Sequence, residues 1–294
     1  MPYTDISINA FIKRLPPKGQ AAALLMRVDR PIGTWLLLIP GWWAIALANH
    51  LRFDLFLLFA VGAFVMRSAG CIINDLWDRD LDSRVERTSV RPLVTGAITR
   101  LEAAFLLFAL LVTGLCILLT LPLASIYLGF FSMLFVVAYP LMKRFTWWPQ
   151  LFLGFTFNFG ALIGWAATQG RLEPPALFLY AAGIFWTLGY DTIYAHQDKD
   201  DDALVGVKST ARLFGDQSKK WVALFYGAAI LLLAAAFAAG GLNIIAIAAL
   251  LAPAAYMAGT VRRWDMSDQL SSLTTFQSAR NTGLLILGLI LIFA

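Results

Sequence analysis

Charge is what this chain has least of. Of its 294 residues only 14% are Asp, Glu, Lys or Arg, while 60% are hydrophobic, and the mean hydropathy is +0.72. A soluble domain carries about 25% charge and roughly 45–50% apolar residues, so the composition excludes a soluble globular class and points to a membrane protein. Histidine and cysteine are scarce too, with two of each. His50 and His196 stand far apart, and Cys71 and Cys116 both fall in apolar stretches. No zinc or haem cluster follows, no disulfide is expected, and the redox compartment stays open. A G-x-x-x-x-G-K-[ST] loop is missing, so nucleotide hydrolysis is not indicated. The net charge of +5 is explained by topology and calls for no nucleic-acid partner.

What is there is a series of uncharged runs: Ile32 to Asn49, Ala103 to Met142, Phe145 to Gly170, Pro174 to Tyr190 and Trp221 to Val261. A span takes about 20 residues, so the two longest runs each hold a helical pair. Residues 1–30 form an interfacial segment feeding a first span at Pro31 to about Ala48. A second runs from about Asp54 into an acidic stretch, and a ninth starts near Ser272. The first 31 residues carry neither the look of a cleavable signal nor the Ser- and Arg-rich, acid-poor look of an organellar transit peptide. The expectation is an all-α polytopic membrane protein of nine transmembrane helices in a single domain. Nine alternating spans put twenty of the 23 Lys and Arg on the N-terminal side and two, Arg52 and Arg171, on the other, with Arg67 inside a span. By the positive-inside rule the N-terminus and the acid motifs then face the cytoplasm, and the expected location is a bacterial inner membrane.

The stretch that organises the chain is RSAGCIINDLWDRDLD, Arg67 to Asp82. On a helix Arg67, Cys71, Asn74, Asp78 and Asp82 recur three or four apart and share a face. Asp78 and Asp82 lie about 6 Å apart along it. Carboxylates that close repel unless a cation lies between them, and hard oxygen donors suit Mg²⁺. The pattern returns at Asp198 and Asp202, in HQDKDDD, again after an apolar run and 120 residues on. Either pair alone reads equally well as a solvated acidic loop. Together, and crowded by Asn74, Asp75, Asp80, Asp191, Asp200 and Asp201, they read as halves of one site.

Arg84, Arg87, Arg91, Lys143, Lys199 and Lys208 surround the acids. Their plainest role is orienting the protein and binding anionic lipid. Bases beside metal-holding acids also make a site for a diphosphate. Arg67, inside a span, faces a cavity or a partner by default. It serves either as a structural pair for an acid such as Asp191 or as the counter-charge of a substrate carboxylate. Tyr139, Tyr190 and Tyr194 sit beside the acids, where a π face could stabilise a carbocation, although packing is the commoner role of an aromatic. Asn158, alone among apolar neighbours, needs a partner inside the bundle.

NDLWDRDLD at 74–82 and DKDDD at 198–202 resemble the two acid motifs of the UbiA-type intramembrane prenyltransferases. DRPIGTWLLLIPGWWAIALA, the RPL of 91–93, YPLMKRFTWWPQ and GYDTIYAHQD…GVKSTARLFG look most like the 4-hydroxybenzoate polyprenyltransferases within it. The resemblance implies a helical bundle around a cytoplasmic-side cavity, in which Mg²⁺ held by both motifs binds a polyprenyl diphosphate beside the aromatic acceptor, 4-hydroxybenzoate. Asn74, Asp75, Asp78, Asp82, Asp198 and Asp202 match its metal- or diphosphate-site positions, and Asp191 and Lys143 match polar positions of the same cavity. The assignment that follows gives metal to Asp75, Asp78, Asp82, Asp198 and Asp202. Diphosphate falls to Asn74, Lys143, Arg84 and Lys208, and the acceptor carboxylate to Arg67. Asp191, Tyr139 and Tyr194 are the candidate catalytic groups, with Asp191 or diphosphate taking the proton. Competing readings are another acceptor (haem, a menaquinone precursor, an ether lipid) or a cation transporter. The transporter is disfavoured because the acids gather at one side of the membrane.

Overall fold

The computed structural model describes residues 10–49, 51–83, 88–199, 203 and 206–294. Every regular element among these residues is helical. In order they are α1 (Ala10–Lys13), α2 (Pro17–Leu25), α3 (Ile32–Asn49), α4 (Phe53–Asp82), α5 (Pro92–Thr95), α6 (Arg100–Leu119), α7 (Leu123–Phe145), α8 (Pro149–Gln169), α9 (Pro174–Ala195), α10 (Thr210–Phe214), α11 (Ser218–Ala239), α12 (Ile244–Ala249), α13 (Leu251–Arg263) and α14 (Gln269–Phe293).

Local chemistry sets these boundaries. Pro17, Pro92, Pro149 and Pro174 occupy first-turn positions, where a missing N–H costs nothing and φ is already helical. Thr99 and Glu102 form a reciprocal capping box at the start of α6, which satisfies two otherwise orphaned amides. Gly170 closes α8 with φ 73°, a left-handed conformation that favours glycine. The last helix starts three residues earlier than expected because the Asp268 side chain accepts from the Leu270 and Ser271 amides.

Among the described residues eight helical stretches are long and apolar enough to cross a bilayer, from Phe53–Asp80 to Gln269–Phe293. They coincide with eight of the nine expected spans. The first expected span is a shorter apolar helix, Ile32–Ala48, at the lower edge of the roughly 17–25 residues a crossing takes. Leu101, Phe105, Phe108, Leu115 and Leu119 of α6 are exposed, as are Phe130, Leu134 and Val137 of α7. Exposed apolar stripes of this kind face lipid, whose tails solvate them at no cost.

The chain divides into two compact units, one of the described residues up to Trp35 with Ala60–Thr120, the other of Leu36–Phe59 with Leu121–Ala294. In the first, Ala21 and Leu25 of α2 pack with Ile72 of α4, Leu93, Ile98 and Ala103. In the second, backbones meet with little between them: a Cβ on Gly164 would lie 2.8 Å from the Gly41 carbonyl oxygen, and one on Gly160 would lie 3.2 Å from the Gly41 nitrogen. Small residues let α3 and α8 approach this closely, which is how helices associate where lipid is as apolar as leucine. The buried Trp43 indole donates to the Gly283 carbonyl at 2.9 Å, so its one polar atom is satisfied.

Candidate active site

The acidic end of α4 carries the first motif. The helix runs unbroken from the apolar span, which ends at Asp80, to Asp82, so i, i+3 and i+7 spacing turns Asp75, Asp78 and Asp82 to one side. All three are buried, with 1%, 6% and 7% exposure, while Trp77 between them is exposed. Asp80 is exposed as well, and among the described residues its carboxylate pairs with Arg79, at 3.8 Å, so it stands apart from the buried three. Asn74 is half-buried.

Buried carboxylates need counter-charge, and arginines of the same unit supply part of it. Arg27 Nη2 donates to both oxygens of Asp75, at 2.7 and 2.9 Å. Arg91 Nη1 reaches Asp75 at 3.1 Å and Asp82 at 2.5 Å, so one guanidinium bridges two acids seven residues apart. Burial pushes the Asp82 carboxyl above its ordinary range; Arg91 opposes the shift, and the neighbouring Asp75 and Asp78 add to it. The mutual repulsion of three carboxylates gathered on one helix face is therefore felt at Asp82.

Three close carboxylates offering hard oxygen donors fit a divalent cation such as Mg²⁺. Among the described residues no three acidic, His or Cys side chains converge into a metal cage. Mg²⁺ seldom uses one: it keeps waters and substrate phosphate oxygens beside one or two carboxylates. The donor set fits a metal that arrives with its ligand.

The second motif lies in the other unit. Asp191 and Asp198 are half-buried at and beyond the end of α9; Asp202 lies outside the described residues. Next to Asp198, His196 is buried and packs edge-on against Trp264, with centroids 4.9 Å apart. Burial, with Lys199 adding, pushes the imidazole down to about 4, so it is neutral near pH 7 and adds no charge beside Asp198. Tyr194 is held by Phe276 at 4.6 Å, and Tyr190 sits between Trp186 at 5.1 Å and Phe276 at 5.9 Å. A polar thread runs beneath: the buried Asn158 amide donates to the Gly154 carbonyl and the Thr187 hydroxyl, which donates to the Tyr190 hydroxyl. That thread partners the Asn158 amide nitrogen, while its buried Oδ1 accepts no hydrogen bond among the described residues.

The predicted bases divide. Arg67 is half-buried on α4, in the first unit. Lys208 is half-buried in the second; its Nζ donates to the Phe145 carbonyl at 3.4 Å and lies 6.0 Å over the Trp147 ring, which Arg212 also covers at 5.4 Å. Tyr139 is half-buried on α7, and Lys143 lies near that helix's end. Arg84 and the Lys143 side chain lie outside the described residues. Sequence reasoning missed Arg27, which it took for an interfacial base, and Phe276. Neither carries a local signal, since each meets its partner across a long sequence separation.

The sequence pattern of the UbiA prenyltransferase family matches residues 37–285. The chain belongs to that family. A rat protein named 4-hydroxybenzoate polyprenyltransferase, mitochondrial, is 46% identical over 293 residues, 98% of this chain and 78% of that one. A Caenorhabditis elegans protein of the same name is 53% identical over 222 residues, 74% of this chain but 62% of its own length. The fold matches a UbiA homolog from Archaeoglobus fulgidus solved bound to GPP and Mg2+, with TM-score 0.67, 18% identity and coverage of 91% and 99% of the two chains. These relatives overturn one expectation. Named as mitochondrial, they point to a mitochondrial membrane in place of a bacterial inner membrane facing the cytoplasm. The count of basic residues reports which side of the bilayer a loop occupies, and it carries no compartment label. The multi-pass architecture is unaffected.

Proposed function

We propose that this UbiA-family protein transfers a polyprenyl group from a polyprenyl diphosphate to the ring carbon ortho to the hydroxyl of 4-hydroxybenzoate, with Mg²⁺, as a step of ubiquinone biosynthesis. The observation that carries this reading is the 46% identity to the rat 4-hydroxybenzoate polyprenyltransferase across 98% of the chain. The buried acid triad at the end of α4 supports it chemically.

Asp75, Asp78 and Asp82, with Asp198 and Asp202 of the second motif, would hold the metal, which supplies positive charge where the departing diphosphate gathers negative charge. Asn74, Arg84, Lys143 and Lys208 bind the diphosphate oxygens and keep them in place as the carbon–oxygen bond breaks. The electron pair of that bond leaves with the diphosphate and an allylic cation remains. Tyr139 and Tyr194 present π faces to it, and membrane burial keeps water away. Arg67 pairs with the carboxylate of the acceptor and so aims the ortho carbon at the cation. Once the new carbon–carbon bond has formed, the ring proton passes to Asp191 or to the diphosphate.

The test is substitution in membranes supplied with Mg²⁺ and both substrates, with product identified by mass. Asp78→Ala and Asp198→Ala should each lower the rate by about 100-fold or more, the usual scale for losing one charge-stabilising contact. Prenylated product at an undiminished rate overturns the metal assignment.

A further inference from the structure

Arg67 is a guanidinium inside a membrane span, and such groups are held by what surrounds them. A glycine lies against it. A Cβ built on Gly33 would lie 2.4 Å from Arg67 Nε, 2.8 Å from Nη2 and 3.0 Å from Cζ. Ordinary contact between such atoms begins near 3.5 Å, so a methyl there displaces the guanidinium by about 1 Å.

Gly33 cannot retreat to make that room. It lies in the first turn of α3, and the segment before it is tied to α4 at two points: Ser68 Oγ donates to the Met26 carbonyl at 3.3 Å, and Arg27 holds Asp75. The atoms a methyl would meet belong to the far end of a flexible side chain, so the arginine must move while the backbone stays. Alanine is also the better helix former, by roughly 0.5–1 kcal/mol. Fold stability therefore gives no reason for glycine at this position, and space for Arg67 does.

We propose that Gly33 is a positioning residue that sets acceptor specificity: its bare Cα seats the Arg67 guanidinium where it meets the acceptor carboxylate. The proposal rests on the reading of Arg67 as the carboxylate-binding group, and the experiment separates the two. The full-length protein in membranes is compared as wild type, Gly33→Ala, Arg67→Ala and the double variant. The readouts are KM for 4-hydroxybenzoate, KM for prenyl diphosphate, the rate ratio of 4-hydroxybenzoate to uncharged 4-hydroxybenzamide, and Tm.

Gly33→Ala should raise the acceptor KM by about tenfold, the low end of what one charged hydrogen bond contributes. It should narrow the preference for the charged acceptor and leave the diphosphate KM and Tm in place. The double variant should be no worse than Arg67→Ala, because two changes acting through one group are not additive. An Arg67→Lys background gives a further arm: its slimmer ammonium clears a methyl, so adding Gly33→Ala should change the acceptor KM less than twofold. If Arg67→Ala raises the acceptor KM and Gly33→Ala does not, the seat is refuted and the role of Arg67 stands. If Arg67→Ala leaves that KM unchanged, the reading of Arg67 fails and the seat with it. Equal increases in both KM values, or a fall in Tm, would mark Gly33 as merely structural.

Discussion

Arg27 adopts φ 59°, the left-handed region, which costs a side-chain-bearing residue roughly 1 kcal/mol relative to glycine. The strain persists because the turn delivers the guanidinium to Asp75, 1% exposed, and to the Leu24 carbonyl at 3.0 Å. Removing one partner of a buried pair costs about 3–5 kcal/mol where the survivor is left unmatched; Arg91 still reaches Asp75 at 3.1 Å, so the loss here should be smaller than that. Arg27→Ala should therefore lower the thermal stability of the detergent-solubilised protein clearly. Arg27→Gly should be milder by about 1 kcal/mol, since it loses the same guanidinium but relieves the backbone. Equal Tm values for the two would show that the left-handed turn stores no strain. The acids themselves were legible in the sequence because their spacing is local: Asp75, Asp78 and Asp82 share a helix, and helical period alone aligns them. Their arginine partners were not legible. Arg27 lies 48 residues from Asp75, and no periodicity reports a turn that brings the two together.

At the scale of elements, hydropathy found the spans well because it measures what the bilayer requires, a length of apolar chain. The uncharged run Phe145 to Gly170 brackets the helix Pro149–Gln169. Hydropathy could not place what polar chemistry decides. The uncharged run from Pro174 stops at Tyr190, whereas α9 continues to Ala195 and carries Tyr194 one further turn. Nor could it say which helix meets which. The approach of α3 and α8 at Gly41, Gly160 and Gly164 leaves no periodic mark, because glycine contributes almost nothing to an apolar face. It does make a prediction. Gly164→Ala sets a Cβ 2.8 Å from a backbone oxygen, which no rotamer change relieves, so overpacking of about 1–3 kcal/mol should exceed alanine's gain in helix propensity. Gly288→Ala on α14, where a Cβ meets nothing within 4 Å, should be neutral or stabilising. Thermal unfolding of the two variants side by side checks this, and a loss at Gly288 equal to that at Gly164 would sink the packing argument.

For the whole molecule the open quantity is the parity of membrane crossings, which rests on Ile32–Ala48. At 1.5 Å per residue its 17 residues cover about 26 Å, against a hydrocarbon core of about 30 Å. Length alone leaves the matter undecided, and charge decides it. If this helix crosses, twenty of the 23 Lys and Arg share one side. If it does not, the five of the N-terminal segment, Lys13, Arg14, Lys18, Arg27 and Arg30, move to the side of Arg52 and Arg171, and the bias that orients a membrane protein falls from twenty against two to fifteen against seven. Crossing is therefore the expected state, with the two termini on opposite sides. Single cysteines in a background with Cys71 and Cys116 replaced, labelled by an impermeant maleimide in sealed vesicles, test it directly. Arg14→Cys and Ala203→Cys should react from one side, and Arg171→Cys and Ala294→Cys from the other. The four positions lie in or beside exposed polar segments or at the end of the last helix and replace no acid of either motif, and because Ala203 adjoins Asp202 the labelling is read for topology and not for activity. Arg14→Cys reacting together with Arg171→Cys would reduce the count to eight. It would also put the segment carrying Arg27 and Gly33 on the opposite face from the basic loop that carries Arg91, which the shared grip of those two arginines on Asp75 does not allow.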